Sequence, residues 1–395
     1  MDNKLGLYIH IPFCVSKCAY CDFYSVTDAK KHQRYIDSLI LHMEDYSKSL
    51  ENYTFDTVFI GGGTPTVISK NLMIDLLDGI YNNFNVTKDA EITIEANPAT
   101  IDKNMMKKYR SEGINRLSIG LQSGCDNELK ALTRIHTLEE FEDSFRAARK
   151  AKFNNINIDL MYGIPEQTQA SFKMTLDYVC ELRPEHISVY GLKIENNTPF
   201  ADKINSLALP DEDDEYSMYV TAVDTLTEQG YIQYEISNFA LPGFECRHNL
   251  KYWNCMEYLG LGPAAHSYLN DCRFSFKRDI DLYMDAMEKI DTEYNILDEC
   301  YTITPKERIG EYIMLRLRLN EGLDTDRFRE LFNLNFERMY GKYLKIYVEN
   351  GFMIKNKSNY SFSTKGKYVS NYILSAMLDF DSSIVSNIAN GTDKI

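Results

Sequence analysis

At 395 residues, 44% hydrophobic and 26% charged, the chain can bury a sizeable core, which excludes a single small module and wholesale disorder. A formal charge of −15 argues against nucleic acid as a partner and against binding to anionic membranes. No apolar run approaches the roughly 20 residues that span a bilayer. Residues 1–15 also lack a basic start followed by an apolar signal core. A cytoplasmic protein without an integral membrane segment is therefore expected, with peripheral membrane contact still open to it. Nine cysteines are an odd number, and three of them crowd into residues 14–21, a pattern of reduced thiols and metal binding rather than of a disulfide framework.

In chain order, residues 5–13 (LGLYIHIPF), 57–60, 91–96, 116–121, 155–160 and 186–192 read as short buried strands. Helical spacing fills the gaps at 30–50, 69–83, 101–112, 137–152 and 168–182. A repeated βα order predicts parallel strands joined by right-handed crossovers. Six units are too few for the eight-stranded barrel, so the expected α/β fold is an open, partial (β/α)6 barrel over residues 1–204. Its functional rim would lie at the strand C-termini.

The charged, proline-bearing stretch 205–215 opens a helical segment to about 229. A strand at 231–236 and a turn-rich region to about 275 follow, and residues 205–303 read as an α/β extension packed on the barrel. Thr304 and Pro305 then start a helix ending near Gly322. Two further helices, a hairpin at 351–363 and a helix at 364–378 predict a winged-helix-like domain over 304–379, and 380–395 reads as a loose tail. Such domains often bind DNA, but the acidic chain favours a structural or partner-docking role.

The first strand leads into Cys14, Cys18 and Cys21, spaced CxxxCxxC. Three thiolates leave one iron of a [4Fe–4S] cube open to a ligand, whereas structural zinc wants a fourth protein ligand that is not evident nearby. After the second strand stand Gly61, Gly62 and Gly63 with Thr64. A glycine run is equally a plain turn, but at a strand end it lets the backbone approach a ligand. Glu95, Gln122 and Asp159 fall where later strands should end, with Arg134 in a following loop. Each alone is an ordinary surface or capping residue; together at one rim they suggest a ligand pocket.

The segments YIHIPFC, GGGTPT, TIEANP, RLSIGLQS and NIDLMYGIP, with the C-terminal domain, resemble the HemN/HemW group of radical S-adenosylmethionine (SAM) proteins over nearly the whole chain. The resemblance implies a radical SAM partial barrel, a HemN-type C-terminal domain, a [4Fe–4S] cluster on the three cysteines and one or two SAM molecules. In that superfamily SAM chelates the open iron, and an electron breaks a C–S bond to give a 5′-deoxyadenosyl radical, so an electron donor is implied as well. Carried over by motif, Tyr8, Gly62, Gly63, Thr64, Glu95, Gln122, Arg134 and Asp159 would touch SAM.

Two branches of the group differ. The coproporphyrinogen III dehydrogenase branch, which decarboxylates two propionates in anaerobic haem synthesis, has a further cysteine two residues after the third ligand and an N-terminal extension. Here that position is Phe23 and the sequence opens directly at the barrel. The stretch from Arg247 to Trp253 (RHNLKYW) resembles the HNxxYW motif associated with haem. It implies His248 as haem ligand, with Tyr252 and Trp253 offering flat apolar surface, although a histidine beside aromatics is also an ordinary packed residue. Cys246 and Cys255 are expected to be buried, and His10 to hold the loop by a hydrogen bond. Cys125, Cys180, Cys272 and Cys300 lack ligand spacing and are expected to be inert. The implied function is a haem chaperone that binds haem and delivers it to haem-dependent respiratory proteins, with a homodimer compatible with it. The alternatives are an oxygen-independent coproporphyrinogen III oxidase or another radical SAM enzyme of the group.

Overall fold

The computed structural model describes residues 3–289 and 296–378; the predicted tail at 380–395 lies outside them. Two compact units result. One takes the chain as far as Ile232 together with Ser237–Lys251 and Met256–Thr302, and the other takes Gln233–Ile236, Tyr252–Cys255 and the chain from Ile303 onward.

In the first unit the six predicted strands are β1 (Lys4–Ile11), β2 (Thr54–Gly62), β3 (Val86–Ala96), β4 (Arg116–Gln122), β5 (Ile156–Tyr162) and β6 (His186–Gly191). They pair in chain order and all in parallel. Strands covered on both faces read as near-continuous apolar runs, and β4 is buried at every position. The connecting helices are α1 (His32–Ser47), α2 (Lys70–Asn83), α3 (Lys103–Ser111), the short α4 (Asp126–Ala131), α5 (Leu138–Lys150) and α6 (Gln169–Leu182). Their starts follow the chemistry of the sequence. Ser69 and Asp102 accept from the first-turn N–H groups of α2 and α3, and Thr137 with Glu140 forms a capping box on α5. The barrel is open, as expected, because both edges are taken by other strands.

After α7 (Pro199–Asp202) and α8 (Glu212–Glu228), which packs on α6, only Ile232–Gln233 (β7) is extended in the stretch predicted as a strand at 231–236. Strand β8 (Asn238–Ala240) runs antiparallel to β6, and helix α9 (Arg247–Trp253) follows. The region predicted as turn-rich instead holds β9 (Tyr258–Leu261), β10 (His266–Leu269) and β11 (Cys272–Phe276). Strand β9 lies parallel to β1, and the others continue antiparallel. These strands are only four or five residues long and Gly260 interrupts β9, so they carry too little alternation to read. Gly260 allows the close approach: a Cβ there would sit 2.2 Å from the His266 carbonyl oxygen. Helix α10 (Ile280–Glu288) packs on α1 through ion pairs of Arg34 with Asp285 at 2.6 Å and Glu288 at 2.7 Å, and β12 (Leu297–Thr302) ends the sheet.

The second unit contains α11 (Pro305–Arg316), β13 (Leu323–Asp324), α12 (Thr325–Phe332), α13 (Phe336–Glu349), β14 (Met353–Asn356), β15 (Asn359–Phe362), α14 (Thr364–Tyr368) and α15 (Ser370–Leu378). The strands form a small antiparallel sheet ordered β13-β15-β14, the wing of the expected winged-helix-like domain. Ile313, Leu317, Phe328, Phe336, Leu344 and Met377 build its core. Helix α11 stops at Arg316, short of the predicted end near Gly322.

Candidate functional site

The cluster loop leaves β1 at Pro12 and is clamped where it begins and ends. The Cys14 N–H donates to the Val26 carbonyl at 3.0 Å, and the Val26 N–H donates to the Pro12 carbonyl at 2.7 Å. Further along, His10 Nε2 meets the Tyr24 carbonyl at 3.0 Å and His10 Nδ1 meets the Tyr8 hydroxyl at 2.9 Å. Burial pushes the His10 pKa down to about 4, so the ring is neutral and works as a strut. His10 therefore holds the loop, as expected, rather than binding metal.

Around this loop the strand C-termini enclose a cavity of about 400 Å³, in the range of small-molecule sites. Cys14, Cys18 and Cys21 line it together with Gly62, Gly63, Thr64, Glu95, Gln122, Arg134 and Asp159. Every residue expected at the cluster and SAM site is thus gathered in one place except Tyr8. Its side chain instead binds His10 and stacks on Phe59 at a centroid distance of 6.3 Å.

The thiols fit a cluster in two respects. Thr64 Oγ1 lies 3.7 Å from Cys14 Sγ, and Arg134 Nη1 lies 3.8 Å from Cys18 Sγ, so hydrogen-bond donors face the sulfurs. Burial, followed by its neighbours Cys18 and Cys14, raises the Cys21 pKa against a lowering contact from the Phe23 backbone, so ionised sulfur there calls for a nearby cation. Among the described residues no three His, Cys, Asp or Glu side chains converge closely enough to hold a single ion. Thiolates that each ligate a separate iron need no such convergence.

The glycines let the end of β2 form a tight cradle wall against the cluster loop and its lead. Gly63 packs so closely on the cluster loop that a Cβ would fall 2.6 Å from the Phe13 carbonyl oxygen, and Gly62, at φ +114°, lies where a Cβ would fall 2.6 Å from the His10 ring. The Gly62 N–H donates to Glu95 Oε2 at 3.0 Å. Burial, with Asp159 nearby, pushes the Glu95 pKa up to about 7. Burial likewise raises Asp159, against hydrogen bonds from Asn157 and Ser118.

Among the residues that escaped the sequence reading, three shape the site's polar network. Asn97 donates to Thr64 Oγ1 at 2.7 Å and accepts from Arg134 Nη2 at 2.6 Å, joining the donors behind Cys14 and Cys18. Asn157 ties Ser118 and Asp159 to His186. Arg116, 2% exposed inside the barrel, helps to lower the pKa of both Glu95 and Asp159. The available signal was a polar residue within an apolar strand for Arg116 and Asn157, and directly after one for Asn97.

His248 lies elsewhere. It is 1% exposed, on the N-terminal half of the strands, with Nδ1 2.9 Å from Thr57 Oγ1 on β2 and its ring 5.4 Å from that of Phe59. Its backbone N–H and that of Arg247 donate to the Glu91 carboxylate at 3.1 and 3.2 Å, and Lys251 Nζ reaches Asp56 at 2.7 Å. The start of α9 is fastened to the barrel floor, and burial pushes the His248 pKa down to about 3. An axial haem ligand must present a ring nitrogen to a macrocycle, so as folded here His248 does not fit the haem role. Cys246 is buried, as expected, and donates to Glu91. Phe23 is 69% exposed and lines the cavity.

Known proteins match this arrangement. The profile of the Radical SAM superfamily matches residues 8–179, and that of the HemN C-terminal domain matches residues 303–369. Proteins named heme chaperone HemW from Lactococcus lactis and Bacillus subtilis are 34% and 33% identical, covering 96% and 94% of this chain and 98% of each relative. The solved structure of coproporphyrinogen III oxidase (HemN) from Escherichia coli, described as a radical SAM enzyme, superposes with a TM-score of 0.83. It is 26% identical and covers 95% of this chain and 90% of that one. Radical SAM barrel, HemN-type C-terminal domain and near end-to-end similarity agree, and the chain belongs to the HemN/HemW group of the radical SAM superfamily.

Proposed function

We propose that this chain is a haem carrier built on a radical SAM scaffold, which takes up haem and delivers it to haem-dependent respiratory proteins. The near end-to-end similarity to proteins named heme chaperone carries the reading. Phe23 supports it, because an exposed phenyl ring lines the cavity where the decarboxylating branch has a cysteine. Cys14, Cys18 and Cys21 would hold a [4Fe–4S] cluster, and the glycine cradle would hold SAM. Gly62 and Gly63 let the backbone approach, Glu95 and Asp159 offer carboxylates to hydroxyls or an amine, Arg134 pairs with a carboxylate and Gln122 adds an amide. Tyr8 acts one step back, by steadying His10. The bound cluster, reduced by an electron donor, would supply the electron that cleaves SAM. His248 is assigned no haem ligation in the arrangement described, since its ring is buried against Thr57 and Phe59 of β2.

Offering the anaerobically reconstituted protein both haem and coproporphyrinogen III tests the reading. Stoichiometric haem binding without CO2 release is expected, whereas CO2 and protoporphyrinogen would make the chain the enzyme. Cys18→Ala should lose most cluster iron and its visible absorption; full iron retention would remove the ligand assignment.

A further inference from the structure

Far along the sheet from the glycine cradle, two cysteines without ligand spacing meet. Strands β11 and β12 pair with Cys272 opposite Thr302 and Phe274 opposite Cys300, which makes Cys272 and Cys300 diagonal neighbours on one face. Their sulfurs lie 3.6 Å apart, with Cys300 exposed and Cys272 half-buried.

The chain between them carries α10, which buttresses the cluster loop just beyond its third cysteine. Arg278 Nη2 donates to the Asp22 carbonyl at 2.6 Å, and the Ile280 N–H donates to the Tyr24 hydroxyl at 2.8 Å. Lys31, just ahead of α1, pairs with Asp281 at 2.7 Å. The two thiols therefore stand at the ends of the segment that braces Asp22 and Tyr24.

We propose that Cys272 and Cys300 are a reversible disulfide site that fastens the α10 segment against the cluster loop when the surrounding thiol pool is oxidised. The oxidant is a low-molecular-weight disulfide. The Cys300 thiolate attacks one of its sulfurs and expels a small thiolate. The Cys272 thiolate then attacks the Cys300 sulfur of the mixed disulfide and expels the second. Both protein protons end on the departing thiolates, so two protein thiols are oxidised and one small disulfide is reduced.

Exposure makes Cys300 the attacking partner. Burial and then Cys300 itself raise the Cys272 pKa, so Cys272 is the less ready nucleophile and attacks second, once the Cys300 sulfur is held beside it in the mixed disulfide. Closing 3.6 Å to the roughly 2.05 Å of a disulfide brings the two sulfurs about 1.5 Å closer, and the exposed Cys300 keeps the bridge open to a reducing thiol. Once formed, it joins β11 to β12 covalently on either side of α10 in the chain, and opening the pair then requires breaking a bond as well as backbone hydrogen bonds.

The latch rests on the cluster assignment, whereas the disulfide does not, so iron content is measured first. The cluster-loaded protein is treated anaerobically with oxidised glutathione and analysed by differential alkylation and mass spectrometry. A Cys272–Cys300 cross-link is expected, with iron release to a chelator slowed roughly threefold to tenfold. Cys300→Ser, an exposed edge-strand change, should lose both effects. Two thiols that stay alkylatable, or a glutathione adduct that persists on Cys300 beside a free Cys272, would overturn the site. A cross-link with unchanged iron release would overturn the latch.

Discussion

Glu95 faces two opposing demands: it caps the Gly62 N–H, which favours its charge, yet it is sunk beside Asp159, which opposes it. With its pKa raised from 4.5 to about 7, the folded chain keeps a proton that the unfolded chain releases within that window. Stability of the cofactor-free protein should therefore fall as pH rises from about 4.5 to 7, and Asp159, also raised, adds the same sign. Urea unfolding between these limits should show a shallower decline in Glu95→Gln; an unchanged slope would mean that the carboxylate ionises freely in the cavity. At the barrel floor, His248→Ala removes the partner of Thr57 and opens a gap under Phe59. A loss of about 1–3 kcal/mol in denaturant unfolding is expected. A haem Soret band lost in His248→Gln at unchanged stability would instead restore the ligand role.

At the scale of elements, helix starts are set by a few side chains. Thr304 accepts from the Glu307 N–H while Glu307 Oε2 accepts from the Thr304 N–H at 2.8 Å, and Pro305 occupies the first turn where no donor is needed. Thr304→Ala should cost about 1 kcal/mol, seen as a lower denaturation midpoint, and Thr304→Ser should recover most of it. Helix α9 starts differently, with Glu91 of a distant strand taking the capping place. Local sequence says nothing of such a cap: RHNLKYW reads as a ligand motif by resemblance, and in the fold its first residues anchor α9 to the barrel floor.

At the scale of the molecule, a scaffold shared with a coproporphyrinogen oxidase does not fix the reaction, because chemistry resides in the groups grafted onto it. Phe23→Cys restores one residue of the decarboxylating pattern at the cavity wall. It should yield no CO2 from coproporphyrinogen III in the reconstituted protein, since one side chain does not rebuild a substrate pocket. Measurable decarboxylation would show that the two branches differ by little more than this position.

Six parallel strands, the thiol loop after the first of them and the polar residues at their ends are legible along the chain. Each of these is a local pattern of apolar runs, caps and spacing, and parallel pairing in chain order then carries Cys14, Gly62, Glu95, Gln122 and Asp159 to one rim. What depends on register between distant segments emerges only once the chain has folded. Asn97 bridges Thr64 and Arg134, Arg116 sits buried among polar neighbours, and the short strands from Tyr258 to Phe276 extend the sheet beyond β1. Register also encloses His248 and sets Cys272 beside Cys300, 28 residues away, a meeting that no spacing rule reveals because the sheet, not the chain, makes them neighbours.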